Sequence, residues 1–459
     1  MSITARAGRR ASVVLTVLAT VVAGLVLTAT AAPTAQAANR VTPGSFTGYG
    51  FDQCVTPSQE AMDVWLERSP YWAVGIYIAG VNRYCGDDLQ DNLTREWVAT
   101  QLRKGWRLIP ITVGPQAWCN TRYTDKGEVR ISPDPTDSYA TARLQGRAEA
   151  RDTVRRARAL GIAARSTLWY DIEAYSIAKV RCRESVLGFL SAWTKTLHSL
   201  DYVSGVYSSA ASGIKALDDA RVLEPRRYTM PDRLWIAEWV TADSYRRPPT
   251  MRPPTLLSDY VRDDGWMPNR RMRQYRGGHD ETYGGVTINI DSNYIHLGRG
   301  SLARRMLPIC GGTRLSFPRY KRLALGQRDP QVKTAQCLLR RKGFYDGELT
   351  GRYNRATERA VLRYQRDRAL RRTGRIARAT WVTMLSEGRN PIVKFGSARP
   401  AVRRVQRALN AALGAGLTVS GVFDFETTRA LREYQGVRRL ARTGVAADPT
   451  WEEMESGRF

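Results

Sequence analysis

From residue 47 onward, apolar positions fall into two rhythms that take turns along the chain. Short runs rich in β-branched and aromatic residues, at 47–52, 73–78, 107–113, 167–173, 205–208, 234–238, 272–275 and 286–291, read as strands. Helical spacing occupies several of the intervals between them. The segments 95–104 and 146–160 each stop at a glycine, Gly105 and Gly161, where a helix C-cap needs positive φ. Within 184–200, the spacing of Leu187, Leu190, Trp193 and Leu197 buries one helical face. Strand and helix in alternation predict a parallel sheet and an α/β fold. About eight strands over residues 45–300 fit a (β/α)8 TIM-type barrel.

Such barrels build their sites at the C-terminal ends of the strands, so residues at those ends are the candidates for chemistry. Asp52 ends the first predicted strand, Asp171 and Glu173 the fourth, Glu238 the sixth, Gln274 and Tyr275 the seventh, and Asp291 the eighth. Within Tyr170-Asp171-Ile172-Glu173, two acids two residues apart share one face of a strand. Leu168, Trp169, Tyr170 and Ile172 surround them, and partial desolvation there should raise a carboxyl pKa toward the range of a proton donor. Acids from distant segments are thereby expected on one rim.

Beyond residue 300 the rhythm changes. The basic segment 301–321, broken by Pro308, Gly311, Gly312 and Pro318, reads as a linker. After it, an offset of 70 residues superposes Gly326 on Gly396, Val332 on Val402, Gln336 on Gln406, Leu339 on Leu409 and Gly351 on Gly421. Tyr364-Gln365 and Tyr434-Gln435, and Trp381 and Trp451, match at the same offset, which marks an internal duplication covering 322–388 and 392–459. Each unit reads as three short helices, with Asn354 or Asp424 as an N-cap.

Composition adds a compartment. The 459-residue chain is 43% hydrophobic and 25% charged, as folded proteins are, and its formal charge of +28 favours anionic partners. Arg6, Arg9 and Arg10 precede an uncharged stretch at 11–32 and the small-residue site Ala35-Gln36-Ala37, so residues 1–37 read as a secretory signal peptide. The Arg9-Arg10 pair permits twin-arginine export, and the apolar stretch is also long enough for an anchor. Export makes a nucleic-acid partner unfavourable and disulfides favourable. Six cysteines are available: Cys54, Cys85, Cys119, Cys182, Cys310 and Cys337. The first four allow three connectivities, of which we expect Cys54 with Cys85 and Cys119 with Cys182; Cys310 and Cys337 would tie the linker to the next domain. With only three histidines, and without H-E-x-x-H, C-x-x-C or G-x-S-x-G, zinc-peptidase and serine-nucleophile chemistries lack their residues.

The runs Gly50-Phe51-Asp52, Asp171-Ile172-Glu173, Trp235-Ile236-Ala237, Gln274-Tyr275 and Ile290-Asp291-Ser292-Asn293 resemble, in order, family 25 glycoside hydrolases, the secreted muramidases. Residues 50–55, 75–84 and 281–291 resemble more closely the glycoside-hydrolase-like domain family of exported bacterial proteins. The resemblance implies Glu173 as general acid on the glycosidic oxygen and Asp171 as the residue that tunes it. Asp52 and Asp291 would steady developing positive charge or position water or substrate. It also implies a sugar cleft in which Tyr77, Trp118, Trp235, Glu238, Gln274 and Tyr275 contact substrate, because flat rings with a polar handle suit pyranoses. Glu238 stands where muramidases usually show no acid. Of nine aromatic residues in or after strands, among them Trp72, Tyr84, Tyr170, Tyr175 and Trp239, three or four should line the cleft. The duplicated units resemble the peptidoglycan-binding domain of wall hydrolases, implying peptidoglycan glycan strands as partner. Their arginine-rich faces suit anionic wall polymers as well. We expect a secreted, wall-associated monomer that cuts peptidoglycan without a cofactor or metal and has no membrane contact after signal cleavage; the alternative is a wall-binding or remodelling protein with a glycosidase-like barrel that does not cut.

Overall fold

The computed structural model describes residues 39–121, 129–239, 255–305 and 307–459, all within one compact unit, Asn39–Phe459. The expected signal peptide at 1–37 lies outside them. No helix among the described residues is long and apolar enough to cross a membrane.

Eight strands, β1 (Phe46–Asp52), β2 (Tyr71–Ala79), β3 (Arg107–Thr112), β4 (Thr167–Asp171), β5 (Val203–Ser209), β6 (Arg233–Ala237), β7 (Arg270–Tyr283) and β8 (Val286–Leu297), close into a barrel in sequence order. Each of the first five is followed by an outer helix: α1 (Gln59–Arg68), α2 (Arg95–Lys104), α3 (Thr136–Ala159), α4 (Val180–Ser199) and α5 (Lys215–Leu223). Local chemistry sets their ends. Ser58 and Thr94 accept hydrogen bonds from the backbone N–H groups of Ala61 and Trp97, and Gly105 closes α2 at φ 105°. The predicted stripe Leu187, Leu190, Trp193 and Leu197 on α4 is buried.

The sheet departs from the expected parallel order at its last strand. β8 pairs antiparallel with both β7 and β1. Only Gly284 and Gly285 separate β7 from β8, both at positive φ, and a two-residue link makes a hairpin and leaves no length for a crossover helix. No helix follows β8, so the outer face around Tyr49 of β1 and Tyr294 of β8 is left for another part of the chain to cover.

The second repeat covers that face. The repeats comprise α6 (Pro330–Arg341), α7 (Arg355–Asp367) and α8 (Arg378–Ser386), then α9 (Pro400–Leu413), α10 (Phe425–Val437) and α11 (Asp448–Glu455). Asn354 and Asp424 cap α7 and α10 as predicted. The matching glutamines are internal struts: Gln336 and Gln406 donate to the Thr357 and Thr427 hydroxyls at 3.0 and 3.1 Å. Phe395, just before α9, packs its ring 4.9 Å from Tyr49 of β1 and 6.4 Å from Tyr294 of β8. Beside it the buried Lys394 ammonium donates to the carbonyls of Leu66 and Ser69 at 2.7 and 2.9 Å, at the end of α1. The same ammonium stands 4.7 Å from the Trp72 ring centroid and 5.3 Å from that of Trp106.

All six cysteines are paired as expected: Cys54–Cys85, Cys119–Cys182 and Cys310–Cys337.

Candidate active site

Side-chain alternation along β1 sends Phe51 outward against Trp65 and Tyr71 and leaves Asp52 facing the barrel axis, at the C-terminal end of the strand. Gly75 on β2 makes the space: a Cβ there would collide with that of Asp52. Asp291 reaches the same rim from a strand running the other way. It is not at a strand end but inside β8, directly opposite Asp52 in the antiparallel register.

Two carboxylates side by side need donors, and the side chains of Asn293, Tyr77 and Gln274 supply them. Asn293, two residues after Asp291 and so on the same face, donates to Asp52 Oδ1 at 2.6 Å. The Tyr77 hydroxyl donates to Asp52 Oδ2 at 3.1 Å. Gln274 donates through Nε2 to Asp291 Oδ2 at 3.1 Å and to Asp52 Oδ1 at 3.5 Å. The orientation of that amide is locked, because its Oε1 accepts from the Tyr207 hydroxyl at 2.9 Å and the Trp239 indole at 3.1 Å. Burial holds the Asp52 carboxyl well above its ordinary range, and the charge of Asp291 raises it further; the hydrogen bonds from Asn293, Tyr77 and Gln274 pull the other way. Asp52 therefore keeps its proton to higher pH than an ordinary aspartate.

The other two acids come from the end of β4. That strand stops at Asp171, and Glu173 lies two residues past it in irregular backbone, so the two acids do not share a strand face as expected. Gln116, from the loop after β3, clamps this segment: its Oε1 accepts from the Glu173 backbone N–H at 2.9 Å and its Nε2 donates to the Asp171 carbonyl at 2.9 Å. Asp171 is buried and Glu173 half-buried. The Tyr207 phenol lies among all four acids: burial pushes it up first, then the charges of Asp171, Glu173, Asp52 and Asp291.

Asp52, Asp171, Glu173 and Asp291 line one cleft of about 740 Å³ together with Tyr77 and Gln116. One wall is the segment from Val81 to Cys85, with Tyr84 83% exposed at the surface. The Cys54–Cys85 disulfide and the Arg83 guanidinium, which donates to the carbonyls of Gly80 and Tyr77 at 3.1 and 3.2 Å, fix that wall. Among the described residues no three His, Cys, Asp or Glu side chains are grouped to hold a metal ion.

Four of the six expected substrate contacts lie elsewhere. Trp235 is 1% exposed and packs edge-on against Trp169 and Tyr207; its indole donates to Asn293 Oδ1 at 2.7 Å, so it supports the site from beneath. Tyr275 has the opposite parity to Gln274 and is buried near Tyr49 and Tyr71, outside the barrel. Glu238 likewise points outward, 3.8 Å from the Arg273 guanidinium. Trp118 is exposed, with the Lys179 ammonium 5.9 Å from its ring, and is absent from the residues lining the cleft. Tyr77 lines the cleft, and Gln274 lies beside it, bonded to Asp52 and Asp291. Asn293, Gln116 and Tyr207 had no assigned role; for Asn293 the period-two spacing from Asp291 was the available signal.

The family described as Rv2525c-like, glycoside hydrolase-like domain matches residues 63–295, and the putative peptidoglycan binding domain matches 328–384 and 398–454. No curated protein sequence matches the chain. Among solved structures, the Tat-secreted protein Rv2525c of Mycobacterium tuberculosis, in complex with HEPES, is similar at 13% identity and TM-score 0.34, over 55% of this chain and 97% of that one. A family 25 glycosyl hydrolase from Bacillus anthracis aligns at 14% identity and TM-score 0.32, over 55% and 90% of the two chains. The modular autolysin LytC from Streptococcus pneumoniae aligns at 11% identity and TM-score 0.32, over 54% and 46%.

Proposed function

Because the chain belongs to the Rv2525c-like, glycoside hydrolase-like domain family, we propose that its barrel hydrolyses glycosidic bonds of peptidoglycan outside the cell, and that its two C-terminal repeats hold it to that polymer. The observation that carries this reading is the convergence of Asp52, Asp171, Glu173 and Asp291 on one cleft, with Glu173 half-buried and the other three more enclosed or bonded to their neighbours. Glycoside hydrolysis needs such unlike carboxyls, one to give a proton and one to face positive charge. Glu173, the half-buried acid just past the end of β4, gives its proton to the glycosidic oxygen as the bond to the anomeric carbon breaks. Asp171 and Asp291 face the charge that develops on the sugar ring; water then adds to the anomeric carbon and gives its proton to the Glu173 carboxylate, which restores the acid. Asp52 holds its neighbours and offers a hydroxyl to a substrate carbonyl. Three disulfides and the leader-like residues 1–37 fit an exported protein.

Glu173→Gln tests the assignment. Release of reducing ends from purified peptidoglycan is expected to fall at least 100-fold while sedimentation with the polymer is unchanged. Undiminished release would remove Glu173 from the chemistry. A second reading, in which the barrel grips glycan without cutting it, draws on the three protein donors that already occupy Asp52. It would be chosen if the wild type sediments with peptidoglycan and releases no reducing ends.

A further inference from the structure

Two cavities meet at Arg399. One, of about 370 Å³, lies where the starts of the barrel strands meet the second repeat, and Arg107, Arg299 and Arg399 line it. The other, of about 510 Å³, lies between the two repeats, where Arg389, Arg404 and Arg407 join Arg399 over apolar side chains that include Leu315, Leu338 and Met384. The first has no carboxylate in its lining. The second has one, Glu387, already paired with Lys342 and Arg368.

This concentration differs from the general excess of arginine. On the outer helix faces arginines are paired, Arg355 with Glu358 and Arg429 with Glu426. Among the described residues Arg107, Arg299, Arg399, Arg404 and Arg407 have no carboxylate within ion-pair distance. Burial lowers the proton affinity of Arg399, Arg404 and Arg407, and repulsion from Arg40 adds to it at Arg399. Like charges are thus held close and partly desolvated, with the charge of Glu455 acting on Arg404 as a partial offset, and bound oxyanions would offset the rest of the cost.

The duplication shows that this is a property of the second copy and not of the repeat as such. At the 70-residue offset, Asp329, Thr334 and Cys337 stand where the second repeat has Arg399, Arg404 and Arg407. Asp329 caps its own helix and pairs with Lys321, and Cys337 is bridged to Cys310. The fold of the repeat therefore does not require arginine at these positions.

We propose that the two cavities form one trough that binds a linear polyanion, a polymer carrying phosphate or carboxylate groups at intervals along an otherwise apolar or neutral backbone. Arginine forks recognise either oxyanion in two-point fashion. The apolar floor accepts the backbone between charges. The assignment is independent of whether the barrel cuts glycan.

Binding of the full chain to inorganic polyphosphate and to poly-glutamate, measured by anisotropy at about 0.15 M salt, tests it. At least one probe should bind, and the tighter one identifies the oxyanion. The triple variant Arg399→Gln, Arg404→Gln, Arg407→Gln is expected to raise Kd at least 10-fold. A control that removes equal charge from outer faces, Arg355→Gln, Arg366→Gln, Arg429→Gln, should change it less than 3-fold. Arg404 and Arg407 also pack against Trp451 and Ser316, so the pair Arg299→Gln, Arg399→Gln, at positions where the trough opens to solvent, leaves those packing contacts in place and is expected to lose at least 3-fold. Equal losses in trough and control variants, or no binding of either probe, would overturn the proposal.

Discussion

Asparagine at position 52 would keep the side-chain volume and remove a carboxyl that burial and Asp291 both push toward its protonated form. The folded-state pKa of Asp52 is raised, so the folded chain binds this proton more tightly than the unfolded chain does. The stability it contributes is full below the ordinary aspartate pKa and is lost as pH rises through the raised value. Asp52→Asn is therefore expected to unfold at a higher temperature than wild type at pH 8, with the difference closing toward pH 3, while peptidoglycan turnover falls. A melting series across pH checks it; an Asn variant less stable at pH 8 would mean that the Asp52 hydrogen bonds outweigh its burial. At this scale the acids were the legible part of the site. A carboxylate at a predicted strand end is conspicuous; of the five so placed, four reach the cleft and Glu238 turns outward toward Arg273. The amides were not legible, because nothing local separates Gln116 or Asn293 from any surface amide; their roles depend on partners 57 and 241 residues away. Trp235 and Tyr275 misled for a related reason: proximity to the rim in sequence does not say which face a ring occupies, and the parity relative to Gln274 does.

Strand and helix alternation carried the barrel because the helices after β2, β3 and β4 end at a glycine or carry an apolar stripe. The antiparallel closing strand was hidden by composition. The second half of β7 runs through Arg276-Gly277-Gly278-His279-Asp280-Glu281, a polar stretch that does not read as a strand, although it pairs with β8 up to Tyr283 and Val286. The consequence of that hairpin is an uncovered barrel face, and the element that covers it, the Lys394-Phe395 segment, lies 328 residues from the carbonyl of Leu66 that it binds. No local pattern announces a contact of that separation. Lys394→Ala should leave a cavity between Trp72 and Trp106 and two buried carbonyls without their donor, a loss of roughly 3 kcal/mol. Thermal unfolding together with protease nicking in 387–392 would report it. A melting temperature unchanged from wild type would show that the second repeat is not part of the barrel's support.

In the whole molecule the cleft opens at the C-terminal ends of the parallel strands, and the second repeat attaches at their beginnings, beside Trp72 and Trp106. Reading the chain as a catalytic body on a separate linker and binding modules captured the parts and missed this attachment. The linker itself is engaged: Asn410 and Arg407 of α9 donate to the Phe317 carbonyl and the Ser316 hydroxyl, and Cys310 is bridged to Cys337. A wall polymer bound by the repeats would accordingly hold the cleft at a fixed distance and orientation, which raises the effective concentration of nearby glycan more than a loose tether does. The central claim remains that the four-acid cleft breaks a glycosidic bond with water. Incubating the wild type with purified peptidoglycan in ¹⁸O-labelled water and weighing the released fragments tests it most directly. One heavy oxygen at each new reducing end is the predicted result; fragments without label, or glycan that stays intact under conditions where the protein sediments with it, would contradict it.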